Sequence, residues 1–372
     1  MIIKNANVFQ ENHSFRMEDI YIDGFKIIDH IPPNQTIFDA EGLFAIPGLT
    51  DIHFHGCEGH DFCDGNHEAI MAIAKYQAKH GITTICPATM TLSEEKLNVI
   101  CEAAESYENR QGAILCGINM EGPFISPAKK GAQCADFIHK PDASMYRRLQ
   151  LASGNLIKLV TVAPEMEGAM EFISEVKGEV TVSIAHTTAD YDLSRNALSK
   201  GASHVTHLYN AMPPFHHREP GIIGAAFDTP NCEVELICDG IHVHPSVVRA
   251  TFQMFGANRI IMISDSMMAT GMPDGDYSLG GQSVRVSAGR ATLGWSDVLA
   301  GSTTNLMDCM RNAVLNIGIP LEIAVQCAAV NPAKSIGVYD HYGSITPGKV
   351  ANIVLLDKYL DIKAVILKGN II

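Results

Sequence analysis

The chain has 372 residues, of which 47 % are hydrophobic and only 18 % are charged, against roughly 25 % charged residues in an average soluble domain. This composition predicts a large folded core and excludes an intrinsically disordered chain and a small disulfide scaffold. The formal net charge is −14 and no basic stripe stands out, which argues against a nucleic-acid partner.

The first 46 residues predict a small β module. They contain short strand-like runs without helical periodicity, and Asp23-Gly24 fits a tight turn between two strands. The tail, residues 343–372, returns to strand-like sequence such as ANIVLLD and IKAVILKGNII. We therefore expect residues 1–46 and 343–372 to form one small, discontinuous β-sandwich domain.

Residues 47–342 predict an α/β domain of the (β/α)₈ TIM-like barrel type. Segments with helical spacing separate eight apolar, strand-like runs, which are TDIHFH, TTICPA, AILCGINME, LIKLVTVAP, VTVSIAH, HVTHL, VELICDG and RIIMISD. One helix is predicted after Thr91 or Ser93, either of which can cap it. Its apolar face consists of Leu97, Ile100, Cys101 and Ala104. About 290 residues is within the usual size of such a barrel.

Six of the eight strand-like runs have a histidine or a carboxylate at or next to their last residue. In a barrel of this type the carboxyl ends of the strands meet at one mouth, so we expect these side chains to converge. His53 and His55 are two residues apart, and the alternation of side chains along a strand predicts that both point to one side. Imidazoles with a carboxylate suit Zn²⁺ or Fe²⁺. The sequence therefore predicts a site for one or two divalent ions from His53, His55, Glu121, His186 and His207.

Asp265 closes the last strand-like run and is the candidate catalytic acid/base. A divalent metal lowers the pKa of bound water to about 7, and a nearby carboxylate can take a proton from that water and return it to a leaving amine. The loop SMMATGMPDG follows, and we expect it to fold over a ligand. Trp295 is expected to pack in a hairpin-like segment beyond this loop. The combination predicts hydrolytic chemistry.

The ten cysteines include no C-x-x-C pair and lie mostly in apolar sequence, which fits reduced thiols in a cytoplasmic protein. The N-terminus shows no charged head followed by an apolar core, and no apolar run approaches the ~18 residues of a membrane span. We therefore expect a cytoplasmic protein with no membrane partner.

Ordered motifs run nearly the whole length of the chain: PGLTDIHFHG, NMEGPFISPAKKGA, TVAPE, AHT, THLYNAM, REPG, DGIHV, SDSMMATGMPDG, LAGS, NPAKSIG and PGKVANIVLLD. They resemble the amidohydrolase superfamily and, within it, the N-acetylglucosamine-6-phosphate deacetylase family. The resemblance implies that Glu121, His186 and His207 are the primary metal ligands and that Asp265 is the catalytic acid/base. It also implies hydrolysis of the acetamide of N-acetylglucosamine 6-phosphate, to glucosamine 6-phosphate and acetate, by a homodimer in amino-sugar metabolism. The low charged fraction also favours a homodimer.

The same resemblance implies a set of sugar and phosphate contacts. His242 would polarise the acetyl carbonyl or hold a sugar hydroxyl, and the sequence does not decide between the two. Arg218 would bind the phosphate, because its planar guanidinium can bond two oxygens at once and keeps its charge. The remaining implied contacts are Ala132, Asn210, Ala211, Leu299, Ala300 and Gly301.

Two positions depart from the pattern of some family members. Members with other side chains in place of the His-x-His pair bind one metal, so the presence of both His53 and His55 favours a second metal site. Where some members have Lys-Gly-Ala-His, this chain has Lys130-Gly131-Ala132-Gln133. An amide therefore replaces any sugar or phosphate contact of that histidine.

Three alternatives remain open. The first is the same reaction on N-acetylgalactosamine 6-phosphate, which differs in one hydroxyl orientation. The second is a cyclic amidase, which is disfavoured because Lys158 lies too early in its strand to reach the mouth as a carboxylated bridging lysine. The third is a metal-binding scaffold without catalysis, which the intact Asp265 disfavours.

Overall fold

A computed structural model describes residues 1–32, 36–294 and 296–372 of the protein. Trp295, for which the sequence predicts packing in a hairpin-like segment, lies outside these ranges. Within them, no helix combines the length and the apolar character needed to cross a bilayer. The N-terminal strands are β1 (Ile2–Phe9), β2 (Phe15–Asp23), β3 (Lys26–Ile28), β4 (Ile37–Asp39) and β5 (Phe44–Pro47).

The next strands form the barrel and a short hairpin at its mouth. They are β6 (Leu49–Asp51), β7 (Gly56–Cys57), β8 (His60–Asp61), β9 (Ile82–Ile85), β10 (Ile114–Leu115), β11 (Ile118–Phe124), β12 (Ile157–Val162), β13 (Thr181–Ile184), β14 (His204–Val205), β15 (Glu233–Ile237) and β16 (Ile260–Ile263). The hairpin is β7-β8. In the barrel, β10 and β11 share one position, and neighbouring strands run parallel in the order β6, β9, β10/β11, β12, β13, β14, β15, β16.

Two backbone hydrogen bonds close the ring between its first and last strands. The amide of Asp265 donates to the carbonyl of His53 at 2.9 Å, and the amide of His55 donates to the carbonyl of Ser266 at 2.7 Å. These bonds join the segments that follow β6 and β16. Each of the eight predicted runs contains a strand, and the predicted barrel is confirmed.

Helices separate most of the barrel strands along the chain. They are α1 (His67–Lys79), α2 (Glu94–Glu105), α3 (Ala143–Ala152), α4 (Ala169–Val176), α5 (Tyr191–Lys200), α6 (Gly221–Phe227), α7 (Pro245–Phe255), α8 (Leu306–Asn312), α9 (Leu321–Val325) and α10 (Asn331–Ser335). The predicted apolar face of α2 is buried. Its cap is Ser93 rather than Thr91, because Ser93 Oγ accepts the Lys96 amide at 3.3 Å.

A small antiparallel sheet follows the last barrel strand, and the C-terminal strands come after the remaining helices. The small sheet consists of β17 (Gly275–Leu279), β18 (Gln282–Ser287) and β19 (Arg290–Leu293). The C-terminal strands are β20 (Ile353–Leu356), β21 (Ile362–Leu367) and β22 (Asn370–Ile371).

The two ends of the chain form one hydrogen-bonded sheet in the order β22-β21-β20-β5-β1-β2-β3, with β4 also paired to β1. The Ile27 amide donates to the Lys349 carbonyl, and the Ala351 amide donates to the Phe25 carbonyl. The β3 edge is therefore hydrogen-bonded to the segment before β20. The sheet thus folds over a core of its own, while Phe9 and other residues of its opposite face belong to the barrel core. The boundaries at 46/47 and 342/343 remain a prediction.

Candidate active site

Two groups of buried side chains meet at the carboxyl ends of the barrel strands. In each group, one metal-binding atom from every residue lies within 4.8 Å of the others. The first group is Glu121, His186 and His207, and the second is His53, His55 and Asp265. The six residues include the five predicted metal ligands and the predicted catalytic aspartate.

The atoms of the first group converge closely. Glu121 Oε1 lies 3.1 Å from both His186 Nε2 and His207 Nε2, and these two nitrogens are 3.1 Å apart. His186 Nδ1 donates to the carbonyl of Lys129 at 2.9 Å, which leaves the Nε2 lone pair facing Glu121. One carboxylate and two imidazole nitrogens directed at a common point fit a divalent cation.

The second group lies next to the first. Asp265 Oδ1 is 3.4 Å from His55 Nε2 and 3.8 Å from His53 Nε2. Glu121 stands between the groups, because its Oε1 is 3.5 Å from His53 Nε2 and its Oε2 is 3.5 Å from His55 Nε2. Among the described residues, the buried Nε2 of His53 has no hydrogen-bond partner. A buried, unpaired nitrogen directed at carboxylates fits a second cation beside the first.

The surroundings of Glu121 and Asp265 favour the ionised carboxylate, which is the form that binds a cation. Burial alone would raise the pKa of Glu121, but the imidazoles of His53, His186 and His207 hold that pKa well below its usual range. Burial also opposes ionisation of Asp265, and the hydrogen bond with His55 lowers the Asp265 pKa. The carboxylates of Glu121 and Asp265 are therefore anionic at neutral pH. Both a cation ligand and a proton acceptor require this form.

Three residues at the strand ends have a left-handed backbone. The φ angles are 46° at His186, 30° at His207 and 51° at Asp265. A non-glycine residue in such a conformation costs on the order of 1–3 kcal/mol, and such residues concentrate at functional sites. The strands β13, β14 and β16 end just before these residues, so the sharp turns direct their side chains across the mouth.

The His-x-His pair is held differently from the prediction. The strand β6 ends at Asp51, so His53 and His55 follow the strand instead of alternating within it. Their backbone is fixed by the hydrogen bonds to Asp265 and Ser266 that close the barrel. Both Nε2 atoms nevertheless face Asp265, as the distances above show.

A cavity of about 760 Å³ opens over both groups. Most of the implied substrate contacts line it, namely Ala132, Asn210, Ala211, His242, Leu299 and Gly301, while Ala300 is fully buried and does not line it. None of residues 266–275, all of which are described, lines the cavity, so SMMATGMPDG does not cover it in this structure. Leu279, Arg290 and Leu293 of the β17–β19 sheet line it instead.

His242 faces the cavity with a fixed ring. Its Nδ1 donates to Asp239 Oδ2 at 2.7 Å, and Asp239 Oδ1 accepts the amides of Ile241 and His242. Burial would lower the pKa of His242, but the Asp239 carboxylate raises it above the usual value. A cationic or strongly donating imidazole at this place suits an oxygen of the substrate.

Two cationic residues singled out in the sequence lie away from this cavity. Arg218 lines a separate cavity of about 970 Å³, and its guanidinium donates to His217 Nε2 at 2.7 Å. Within this chain, Arg218 is therefore not part of the wall of the metal-bearing cavity. Lys158 lies at the start of β12 and lines a third cavity, which contains no residue of either group. The structure thus places no lysine of β12 between the two groups.

Gln133 is a part of the site whose contact the sequence did not predict. It is 2 % exposed, its Oε1 accepts the Thr91 amide at 2.6 Å, and its Nε2 donates to Glu121 Oε2 at 2.8 Å. The Thr91 contact fixes which end of the amide faces Glu121. One oxygen of Glu121 is therefore held by the amide, while the other faces the imidazoles.

Replacing Gln133 with methionine is expected to weaken metal binding by about tenfold to 100-fold, because residues that orient a metal ligand typically have effects of this size. The variant keeps the side-chain length but leaves Glu121 Oε2 and the Thr91 amide unpaired. Competition with a chromogenic chelator measures the affinity. Gln326→Met is the matched control, since Gln326 is similarly buried and donates to Asn258 Oδ1 at 2.7 Å, remote from both groups. Equal affinities in the two variants would contradict this role.

The barrel and the paired histidine and carboxylate groups at its mouth define a metal-dependent hydrolase. The chain belongs to the Amidohydrolase family, whose sequence pattern matches residues 44–372. Together, the family and the two buried groups support binding of a divalent metal and hydrolysis of an amide.

Several relatives match nearly the full length of the chain. An N-acetylglucosamine-6-phosphate deacetylase of Bacillus subtilis (strain 168) is 38 % identical over 383 residues, covering 100 % of this chain and 96 % of the relative. An N-acetylgalactosamine-6-phosphate deacetylase of Escherichia coli O157:H7 is 33 % identical, covering 97 % and 95 %. A mutant N-acetyl-D-glucosamine-6-phosphate deacetylase of Mycobacterium smegmatis, solved with N-acetyl-D-glucosamine-6-phosphate, has a TM-score of 0.92 at 32 % identity and covers 100 % and 98 %.

Proposed function

We propose that the enzyme hydrolyses the acetamide of N-acetylglucosamine 6-phosphate, giving glucosamine 6-phosphate and acetate. The observation that carries the proposal is the position of Glu121, His186, His207 and Asp265 in one cavity wall, beside the implied sugar contacts. The full-length similarity to deacetylases of N-acetylated amino-sugar phosphates supports the choice of substrate class.

Glu121, His186 and His207 would hold the primary ion, and His53 and His55 would hold a second one. We propose Zn²⁺ or Fe²⁺, because imidazole with carboxylate suits both. A bound divalent cation supplies Lewis acidity, which polarises an amide carbonyl and makes water more acidic. The buried, anionic Glu121 gives the ion its charged ligand.

Asp265 carries the protons of the reaction. A water oxygen forms a bond to the acetyl carbon, and the carboxylate takes one proton from that water. The C–N bond then breaks, and the same proton goes to the departing amine nitrogen. The Asp265 carboxylate suits this role because it is ionised, held by His55 and 9 % exposed at the cavity wall.

His242 would donate a hydrogen bond to the acetyl oxygen or to a sugar hydroxyl. Its Nδ1 is committed to Asp239, so the remaining ring nitrogen is the group available to a substrate. A fixed donor at a developing oxyanion stabilises the transition state without reorganisation. Ala132, Asn210, Ala211 and the 299–301 turn would shape the sugar site.

The phosphate of the substrate is an anion, and the protein itself has a net charge of −14. Cationic side chains are therefore needed where the phosphate binds. Lys130 and Arg290 line the cavity of the same subunit. We propose that Arg218 reaches the cavity of a neighbouring subunit in a homodimer, because it lies outside its own. Sedimentation at micromolar concentration is expected to show a dimer, and a monomer alone would contradict this arrangement.

Acetate release tests the proposed substrate. The purified protein with Zn²⁺, Fe²⁺ or Mn²⁺ is expected to release acetate from N-acetylglucosamine 6-phosphate with a higher kcat/KM than from N-acetylglucosamine, which lacks the phosphate. N-Acetylgalactosamine 6-phosphate is the second candidate, because one relative carries that activity in its name. A higher kcat/KM for the galacto sugar would replace the first proposal with the second. No release from either phosphate would contradict both.

A further inference from the structure

Glu235 is a carboxylate in the barrel interior that the catalytic scheme does not use. It lies in the middle of β15 and is 0 % exposed. Its Oε2 lies 2.8 Å from His53 Nδ1 and accepts the backbone amide of His207 at 3.0 Å. One buried oxygen therefore contacts a residue of each metal-binding group. A buried carboxylate is strongly disfavoured unless it is paired, so these contacts explain why the charge is tolerated.

The contact with Glu235 decides which nitrogen of His53 is free. A carboxylate only accepts hydrogen bonds, so His53 Nδ1 carries the hydrogen, and in the neutral ring that binds a metal Nε2 presents its lone pair. That Nε2 faces Glu121 Oε1 at 3.5 Å and Asp265 Oδ1 at 3.8 Å. It is buried and has no hydrogen-bond partner within the described ranges. The free lone pair is thus directed at the point where a cation would lie.

We propose that Glu235 is a positioning residue that fixes the His53 tautomer and thereby builds the second cation site, formed by His53, His55 and Asp265. The inference rests on the metal centre of the proposed function and deepens it. Glu235 would not touch the cation or the substrate. It acts through His53, as carboxylates behind metal-bound histidines do in general.

Glu235 forms its side-chain hydrogen bond with His53 and not with the neighbouring His204. Its Oε1 is 3.8 Å from His204 Nε2, which is too long for a hydrogen bond, and His204 Nδ1 is already 2.9 Å from Ser183 Oγ. Within the described part of the chain, Oε1 has no hydrogen-bond partner. The His53 ring is therefore the side chain that shares a hydrogen bond with Glu235.

Glu235→Gln separates the charge of the residue from its packing, because the two side chains have nearly the same shape. Glutamine keeps one oxygen that can accept from both His53 Nδ1 and the His207 amide, but it lacks the negative charge that favours the hydrogen on Nδ1 and strengthens the His53 ring as a ligand. Titration of the metal-free protein with Co²⁺, followed by visible absorption, reports two equivalents separately. We expect the second equivalent of Glu235→Gln to bind about tenfold to 100-fold more weakly, with the first within about threefold of wild type.

Glu233→Gln is the matched control. Glu233 lies on the same strand, and its Oε2 accepts the Ser335 hydroxyl at 2.6 Å without contacting either group. This variant is expected to bind both equivalents as the wild type does. Equal weakening of both equivalents in Glu235→Gln, no weakening at all, or a single equivalent in the wild type would overturn the proposal.

A second measurement, on wild-type protein, tests the proposal even if the Glu235→Gln variant does not fold. In Zn²⁺-loaded wild-type protein, the ring ¹⁵N shifts of His53, assigned with His53→Gln, are expected to show a protonated Nδ1 and a metal-bound Nε2. The opposite assignment would overturn the proposal. Neither measurement uses a substrate, so two-site binding without acetate release would contradict the proposed function and leave the role of Glu235 intact.

Discussion

Asp265→Asn is expected to lower kcat for acetate release by about 10² to 10⁴, the range typical for loss of a general acid/base. Asparagine keeps the size of the side chain and its hydrogen bonds, but it cannot accept and return a proton at neutral pH. The first metal group does not contain Asp265, so the primary ion should stay bound. A loss of turnover with the primary ion retained would therefore separate the role of Asp265 from binding of that ion.

Steady-state kinetics and metal analysis on one dialysed preparation check this expectation. Asp276→Asn is the matched control, because Asp276 pairs with Arg285 in the β17–β18 hairpin and touches neither group. Its kcat should equal that of wild type. If kcat were undiminished in Asp265→Asn, Asp265 would not be the catalytic acid/base, and another group would have to transfer the proton.

Glu121→Gln is expected to abolish binding of the primary ion and to lower kcat/KM by at least about 10³, equivalent to several kcal/mol of lost transition-state stabilisation. The carboxylate lies within 3.5 Å of four imidazoles, so its removal takes the shared anion from both groups. A neutral amide is a poor ligand beside imidazoles and cannot balance the ion's charge.

Metal content after dialysis and acetate release give the two readouts. Glu121→Asp keeps the charge at a shorter reach and is expected to fall between wild type and Glu121→Gln in both. Thermal unfolding without metal should be similar for the two variants, which excludes a general loss of folding. Wild-type metal content in Glu121→Gln would contradict the assignment of Glu121 as a ligand.

The barrel could be predicted because its strands are mostly apolar and are followed closely by isolated polar residues. Runs such as RIIMISD combine the buried strand and the residue at its end in a few letters. The order of the strands and the position of Asp265, His186 and His207 at one cavity therefore follow from topology. The apolar face of α2 could also be predicted from local sequence, whereas the choice of Ser93 over Thr91 as its cap came from the structure.

The contacts that orient the ligands could not be predicted because they join residues far apart in sequence. Gln133 reaches both Glu121 and Thr91, and Glu235 reaches His53 across 182 positions. One signal for Glu235 was present, since a charged residue in the middle of a fully buried strand demands a partner. The sequence gives no indication that this partner is His53.

The residues that line the cavity could not be predicted from the sequence motifs alone. The loop after Asp265 carries the sequence motif, but the three-stranded sheet that follows it supplies the lining residues Leu279, Arg290 and Leu293. Arg218 belongs to a recognisable motif, yet its loop lines another cavity of the chain. Motifs specify residues, whereas the packing of the connecting segments decides which cavity a residue reaches.

We expect the two buried groups to hold a divalent ion that is required to cleave an acetamide. The most direct test measures bound metal and acetate release on the same chelator-stripped preparation while Zn²⁺ or Fe²⁺ is added back stepwise. We expect negligible release from N-acetylglucosamine 6-phosphate without metal, and a rate that rises with the amount of metal bound. Full release by the stripped protein, or no release at saturating metal, would contradict it.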